Sequence, residues 1–328
     1  MLLKERYIRM DNSREVESMH TIRVLDLTKE FNGFIAVDHI SFVVDVGELF
    51  GLLGPNGAGK TTTIRMLTGI LKPATGTAYI GEYDIQKNPL EAKQLMGIVP
   101  EMANAYIDLS AIRNLLLIGE LYGILKKKRI EKAENLLRLF GLYEKRHQKV
   151  RTFSKGMKQR IIVAMGLMND PRFLFLDEPT SGLDVESVRL IRKLIREYNN
   201  KGTTIILTTH NIEEANQLCD RVAIMNYGKI VAIDRPERLK RTIVSTTSIE
   251  VAFDGKVEVK ELIFKGVVKV KKVGDKFRLY TEKPEDVIPV LVKYGESSGN
   301  KIISLNTLAP NLEDVFVKLT KREKNERP

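Results

Sequence analysis

One segment limits the fold of this chain more than any other: Gly54-Pro55-Asn56-Gly57-Ala58-Gly59-Lys60-Thr61, which fits the pattern G-x-x-x-x-G-K-[ST]. It follows the apolar run FGLLG and precedes TTTIRMLTGI, whose apolar residues have helical spacing. A strand, a glycine-rich loop and a helix in this order predict a loop whose backbone N–H groups surround phosphate oxygens. Lys60 can then reach the β- and γ-phosphates, and Thr61 can ligate Mg²⁺. A glycine turn that merely starts a helix is the alternative, and the flanking strand disfavours it.

A second apolar run, Phe173-Leu174-Phe175-Leu176, ends in Asp177 and Glu178. An unbroken apolar strand is typical of a parallel sheet that helices cover on both faces. Such a strand can deliver Asp177 to a metal ion, while Glu178 faces the γ-phosphate and polarises the attacking water. Acidic residues often end strands, so this pair alone does not establish a site.

Three more segments give the pattern its specificity. The first, before Asp177, is Phe153-Ser154-Lys155-Gly156-Met157-Lys158-Gln159-Arg160. The second is the tetrapeptide SGLD, which follows Glu178 and ends at Asp184. The third is TTIILTT with His210 directly after it. Together with the glycine-rich loop, and in this order, they make the stretch from about Ile22 to Arg241 resemble an ATP-binding cassette (ABC) ATPase. Several segments, including LTKEF and PEMANAY, are most similar in sequence to the ATPase subunits of type-two exporters, which serve drugs, lipids, polysaccharides or ions.

The resemblance implies an α/β fold, the P-loop NTPase cassette. Its parts are a RecA-like core with a parallel sheet, an antiparallel β subdomain and a helical subdomain at about 102–160. We expect this nucleotide-binding domain to span 21–241 and to follow a flexible extension, 1–20. After about Arg241 the sequence changes to alternating strands, namely IEVAF, VEV, VVKV and FRLYT, and an amphipathic helix is expected at LEDVFVKLTK, over 312–321. This pattern predicts an accessory α+β domain over 242–328.

The resemblance also implies a role for each matching residue. Glu178 and His210 are the catalytic candidates, as the base and the residue that holds the base and the water. Thr61, Asp177 and Glu101 are the candidate Mg²⁺ ligands. The candidates for binding ATP, which include two of these Mg²⁺ ligands, are Phe31, Gly54, Pro55, Asn56, Gly57, Ala58, Gly59, Lys60, Thr61, Thr62, Glu101, Ser154, Gly156 and Asp184.

Some of these candidates depart from the family pattern or have rivals. Glu101 stands where the family usually has glutamine, and Lys155 stands where the signature motif usually has glycine. Phe31 matches the aromatic residue that stacks on adenine, but Phe34 is an alternative, and either side chain could belong to the core.

The resemblance implies partners as well, because one cassette holds only half of each ATP site. Ser154, Gly156 and Asp184 would act on ATP bound by a second copy, so a homodimer is expected. A separate polytopic permease would carry the substrate, with this chain on the cytoplasmic face of the membrane and no nucleic acid as partner. A factor acting on ribosomes or DNA and a nucleotide-binding module without hydrolysis are the alternatives.

The charge of the chain is concentrated in one region. The chain has 53 Lys and Arg against 42 Asp and Glu, a net charge of +11. Leu125 to Arg160 alone holds 13 Lys and Arg but only three Glu. A run such as KKKR is usually a solvated helix face, but it also suggests a basic face directed at anionic lipid headgroups or at an acidic coupling helix. The single cysteine, Cys219, is predicted to be a buried apolar residue, since it has no disulfide partner.

Overall fold

The computed structural model describes residues 21–101, 105–241 and 247–308, together with Phe316. The expected extension, 1–20, lies outside the described residues, as does almost all of a helix expected over 312–321. The described residues up to Arg235 form one compact unit, and those from Pro236 onward form a second. None of the described helices combines the length and the apolar character needed to span a membrane.

The first unit contains ten strands and seven helices among its described residues. The strands are β1 (Ile22–Phe31), β2 (Phe34–Val44), β3 (Leu49–Leu53), β4 (Thr75–Ile80), β5 (Tyr83–Asp84), β6 (Met96–Val99), β7 (Phe173–Asp177), β8 (Thr204–Thr209), β9 (Arg221–Asn226) and β10 (Lys229–Asp234). The helices are α1 (Lys60–Leu67), α2 (Pro89–Gln94), α3 (Ala111–Leu121), α4 (Lys126–Leu139), α5 (Lys155–Gly166), α6 (Val185–Asn200) and α7 (Ile212–Leu218).

A six-stranded sheet of order β10-β9-β3-β8-β7-β6 forms the centre of this unit. All pairs are parallel except β10 with β9. Every residue of β3, β7 and β8 is buried, as the unbroken apolar runs predicted for a sheet covered on both faces. Because parallel strands end at the same edge, Leu53, Asp177 and Thr209 come together there, with Leu53 opposite Thr209 and Asp177 opposite Thr208.

A separate antiparallel sheet of order β2-β1-β4-β5 packs with the central sheet in one core, which includes Phe42 and Phe50 stacked at 5.2 Å. Helices α3, α4 and α5 form the helical region, in which 3-10 turns (Tyr143–Lys145 and Val150–Thr152) join α4 to α5. The predicted α/β cassette, with its parallel core, antiparallel β part and helical part, is therefore confirmed.

The second unit contains helix α8 (Pro236–Arg241), strands β11 (Thr247–Phe253), β12 (Val267–Val273), β13 (Lys276–Thr281) and β14 (Ile302–Leu308), and helix α9 (Pro284–Ser298). Its strands form an antiparallel sheet of order β12-β13-β11-β14, as expected for an α+β domain. Ile249, Leu279 and Leu291 belong to its buried core. The expectation of a strand at VEV was wrong: Val257 is a buried loop residue, and a 3-10 turn (Val259–Leu262) starts two residues later.

Candidate functional site

The glycine-rich loop lies between β3 and α1, where the sequence predicted it. Gly57 and Gly59 have φ angles of 80° and 100°, a region that favours glycine. A Cβ at Gly59 would stand 2.6 Å from the carbonyl oxygen of Ala36, so only glycine fits there. Nothing lies within 4 Å of the corresponding point at Gly57, and Asn56 beside it is exposed. The loop is thus packed closely against the protein at Gly59 and is open to solvent at Asn56 and Gly57.

Lys60 begins helix α1 and is only 5% exposed. Its Nζ donates to the carbonyl oxygens of Gly54 at 2.8 Å and Pro55 at 3.1 Å, and lies 3.3 Å from Glu178 Oε1. A buried ammonium group needs such oxygen partners, because water cannot solvate it there. The loop therefore holds the Lys60 ammonium group in place with its own carbonyl oxygens.

Thr61, Asp177 and Thr208 form a cluster of oxygen atoms beside the loop. Thr61 Oγ1 donates to Asp177 Oδ1 at 3.1 Å, and Thr208 Oγ1 donates to the same oxygen at 2.5 Å. Asp177 is 2% exposed and Thr208 is completely buried. This arrangement fixes a carboxylate and a hydroxyl group next to each other, and both are ligand types that Mg²⁺ accepts.

Glu178 follows Asp177 in the left-handed region, with φ of 49°. Its N–H lies 3.2 Å from the carbonyl oxygen and 3.0 Å from Oγ1 of Thr208, and these contacts hold the strained backbone. Its side chain, 7% exposed, reaches Lys60 with Oε1 and His210 Nδ1 with Oε2 at 2.7 Å. A carboxylate at Glu178 would accept this bond, with Nδ1 of His210 as the donor.

A second group of site candidates surrounds the start of helix α5. Ser154 caps this helix by accepting from the N–H of Met157 at 3.3 Å. Asp184 caps α6 by accepting from the N–H of Ser187 at 2.8 Å and from its hydroxyl at 2.9 Å, and these bonds lower the pKa of Asp184. A Cβ at Gly156 would collide with Ser187 Oγ and would stand 2.7 Å from Asp184 Oδ2. Gly156 is thus required for α5 to approach α6.

The two groups are not joined to each other through side chains. No hydrogen bond or ion pair links Ser154, Gly156 or Asp184 to Lys60 or His210 within the described part of the chain. Ser154 and Asp184 are exposed instead. The polar groups of Ser154 and Asp184 are therefore open to solvent and are not bonded to the chain's own glycine-rich loop.

Glu101 and Phe31 remain at the periphery. Glu101 is exposed, and no described residue binds it. Phe31 is the last residue of β1, beside the turn to β2, and is 44% exposed, with Lys29 Nζ 5.1 Å from its ring centre. Phe34 is 66% exposed. Neither aromatic ring belongs to the core, so the core alternative for this pair was wrong.

The structure adds two groups that sequence reasoning missed. Thr208 organises both Asp177 and Glu178; its signal was the pair of threonines that ends the strand TIILTT. Glu214, 1% exposed, accepts from Thr180 Oγ1 at 2.6 Å and from Arg192 Nε at 3.2 Å. The sequence Asn211-Ile212-Glu213-Glu214 has the spacing of a reciprocal capping box, but only Asn211 caps the helix, because the Glu214 carboxylate binds these tertiary partners.

Comparison with known proteins gives consistent matches. The family model described as ABC transporter matches residues 37–181. The linearmycin resistance ATP-binding protein LnrL of Bacillus subtilis (strain 168) is 35% identical over 302 residues, 90% of this chain and 97% of that protein. The Nod factor export ATP-binding protein I of Cupriavidus metallidurans is 34% identical, covering 92% of this chain and 98% of that protein.

Solved structures agree with the relatives on the cassette part of the chain. An ATP-binding subunit of an ABC transporter has a TM-score of 0.63 and 30% identity, covering 68% of this chain and 92% of its own. An ATP-binding cassette of an ABC transporter in its ADP conformation has a TM-score of 0.59 and 28% identity, covering 67% and 92%.

Proposed function

Because the chain belongs to the ATP-binding cassette family and is an ATP-binding, ATP-hydrolysing subunit, we propose that two copies close around two ATP–Mg and drive export through separate membrane subunits. One observation carries this proposal. Lys60, Glu178 and His210 form one connected group, whereas Ser154, Gly156 and Asp184 form another around the starts of α5 and α6, with no hydrogen bond or ion pair to the first among the described residues. A chain built in this way supplies two different halves of an ATP site.

ATP would bind the open side of the glycine-rich loop, over residues 54–62. The phosphates would receive backbone N–H groups of the loop and the start of α1, together with the Lys60 ammonium group. The ring of Phe31, exposed at the turn, is available to stack on adenine.

The Mg²⁺ ion would be held by Thr61 and Asp177, whose oxygen atoms suit it. No cluster of three or more His, Cys, Asp or Glu residues that could bind a metal occurs in the described ranges. Mg²⁺ fits such a sparse site, since it commonly binds one or two protein oxygens together with phosphates and water. Glu101 could contribute a further carboxylate, in place of the family's glutamine. The ion would neutralise charge that develops on the phosphate oxygens.

For hydrolysis, Glu178 would accept the proton of the attacking water while the bond from the γ-phosphorus to ADP breaks. His210, through its 2.7 Å contact, would hold the carboxylate in position. Ser154, Gly156 and Asp184 of each copy would complete the site of the other, with Ser154 and the start of α5 directed at the γ-phosphate.

The export role is proposed from the relatives, two of which are named for linearmycin resistance and Nod factor export. We extend that role to this chain, with a polytopic permease as its partner and a position on the cytoplasmic face of the membrane. The second unit, from Pro236 onward, would be an accessory domain of the dimer, and the cassette would be the part that hydrolyses ATP.

A Glu178→Gln variant tests the proposed catalysis. We expect turnover to fall about 100- to 10,000-fold, because the proton acceptor is lost, while ATP binding and an ATP-dependent dimer remain. Steady-state phosphate release, ATP titration and size-exclusion chromatography measure the three properties. Glu213→Gln is the matched control, since Glu213 is exposed and contacts only Gln217. Unchanged turnover in Glu178→Gln would exclude Glu178 as the base.

Purification from host membranes tests the export role separately. We expect the tagged chain to bring down one polytopic membrane protein, encoded beside its own gene. Recovery with ribosomes or DNA, and with no polytopic protein, would contradict the export role but leave the ATPase assignment intact.

A further inference from the structure

The corner between α3 and α4 combines exposed leucines with exposed lysines. Leu121 and Leu125 are 68% and 71% exposed. Lys126, Lys127 and Lys128 follow in the first turn of α4 and are also exposed. We call residues 121–128 the basic corner. Its two leucines are among the most exposed large apolar side chains of the described residues.

The basic corner is well ordered by local bonds. The N–H of Gly123, which has φ of 72°, donates to Glu120 O at 2.9 Å, and the N–H of Ile124 donates to Gly119 O at 2.8 Å. These two bonds end α3 in a Schellman motif. Tyr122 ties the corner to the central sheet, because its hydroxyl donates to Met96 O at 3.1 Å. The exposure of the leucines is therefore a fixed property of the surface.

The start of α4 lacks the side-chain cap that four other described helices have. Helices α3, α5, α6 and α7 begin at Ser or acidic or amide residues whose side chains accept a backbone hydrogen bond (Ser110, Ser154, Asp184 and Asn211). Helix α4 has Leu125 at this position, with no side-chain cap and no acidic residue in its first turn. Leucine is a poor cap, and lysines oppose the positive end of a helix dipole. Leu125 and the three lysines therefore do not stabilise this end of α4.

No acidic residue in the described part of the chain pairs with the three lysines. None of Lys126, Lys127 and Lys128 forms an ion pair with any residue that the structure describes, whereas neighbouring Arg129 binds Glu120 at 3.1 Å. Their charges thus point to an external anion. The leucines beside them need an apolar medium as well, which the phosphate backbone of a nucleic acid does not offer.

We propose that the basic corner binds the surface of an anionic lipid bilayer. The leucines enter the boundary between headgroups and acyl chains, and the lysines lie at the level of the lipid phosphates. An acidic groove on a protein would suit the lysines, but two strongly exposed leucines beside them fit a deformable bilayer surface better. This contact uses the chain alone and does not depend on the export role.

Sedimentation with vesicles tests the proposal. The purified full chain is mixed with vesicles of phosphatidylcholine, or of phosphatidylcholine with an equal amount of phosphatidylglycerol. We expect binding to the anionic vesicles only, decreasing as salt is added. Replacing Lys126, Lys127 and Lys128 by Glu should lower the partition coefficient by at least about 100-fold, since each lysine near an anionic surface contributes a factor of about five. Leu121→Ser with Leu125→Ser should lower it by about tenfold or more.

Two controls keep the result specific. The Lys265→Glu, Lys269→Glu, Lys271→Glu variant makes the same charge change at exposed positions of the second unit and should bind like the unchanged chain. Folding is monitored by thermal unfolding and by ATP turnover without vesicles. Both corner variants should unfold at the same or a higher temperature, because Glu in the first turn and Ser at the cap favour the helix.

Several outcomes would overturn the proposal. Equal binding to neutral and anionic vesicles would do so, as would an equal loss in the control variant. Retained vesicle binding in the leucine variant would refute insertion into the bilayer. If the corner variants lost a detergent-solubilised permease but no vesicle binding, the basic corner would be a protein interface instead.

Discussion

Replacing Thr208 by valine tests whether one hydroxyl group organises both acidic residues of the site. Thr208 is fully buried. Its Oγ1 donates to Asp177 Oδ1 at 2.5 Å and lies 3.0 Å from the N–H of Glu178. Valine has nearly the same shape and the same strand preference, so the substitution removes the hydroxyl without opening a cavity.

The expected loss of stability follows from the two contacts. A hydrogen bond to a charged group contributes about 1.5–3 kcal/mol, which is the expected cost at the Asp177 carboxylate. The N–H of Glu178 keeps the Thr208 carbonyl oxygen at 3.2 Å, so its loss is smaller. We expect Thr208→Val to lower the free energy of unfolding by about 2–4 kcal/mol. In a unit of this size that corresponds to a fall of roughly 5–15 °C in the unfolding temperature.

Catalysis should decrease more than stability alone explains. Without Thr208 Oγ1, Asp177 is held only by Thr61, and the turn at Glu178 loses one of its two acceptors. A displacement of about 1 Å at such a centre can cost 100-fold, so we expect turnover to fall about 10- to 100-fold at temperatures where the variant is folded. Calorimetry and a phosphate-release assay measure the two effects.

Thr208→Ser is the matched control. It keeps the hydroxyl and loses one methyl group, which should cost about 1 kcal/mol and little activity. The reasoning would be refuted if the valine variant were as stable and active as the unchanged chain, or if serine were the more damaging replacement.

Two further buried groups give simple predictions. Glu214→Gln should lower the free energy of unfolding by about 1–3 kcal/mol, because Arg192 and Thr180 lose their charged acceptor; an unchanged denaturant midpoint would contradict this. Burial raises the pKa of the Cys219 thiol, and the Sγ atom packs against Gly51, so thiol reagents should label Cys219 only after unfolding in guanidinium. Rapid labelling of the native chain would show that this packing opens.

The parts of the site that could be predicted from sequence are those fixed by local structure: the end of a buried parallel strand and the glycines of the loop. An apolar run that becomes a buried parallel strand can end only at the common edge of the sheet, so Asp177 and the loop before Lys60 had to meet there. Glycines at left-handed φ angles mark the loop in the same way, because few other residues adopt those angles.

The missed parts depend on competition between partners that local patterns do not reveal. Glu214 has the spacing of a capping box, yet its carboxylate binds Thr180 and Arg192, both distant in sequence. Val257 and Val259 flank Glu258 in a strand-like pattern, but a 3-10 turn starts at Val259. The short strands β4, β5 and β6 were not predicted, since so few residues carry no clear period.

Lys60 and Glu178 together suggest how phosphate binding and catalysis are linked. Both side chains are buried, and each compensates the charge of the other at 3.3 Å, while Lys60 also binds two carbonyl oxygens. A buried ammonium group that loses its anion is costly, so Lys60 does not leave Glu178 until another anion takes the place of that carboxylate. Phosphate oxygens are such an anion, and they would attract the ammonium group away from Glu178. The carboxylate would then keep His210 and gain the capacity to accept a proton from water. On this argument the base becomes available only once the phosphate lies within reach of Lys60.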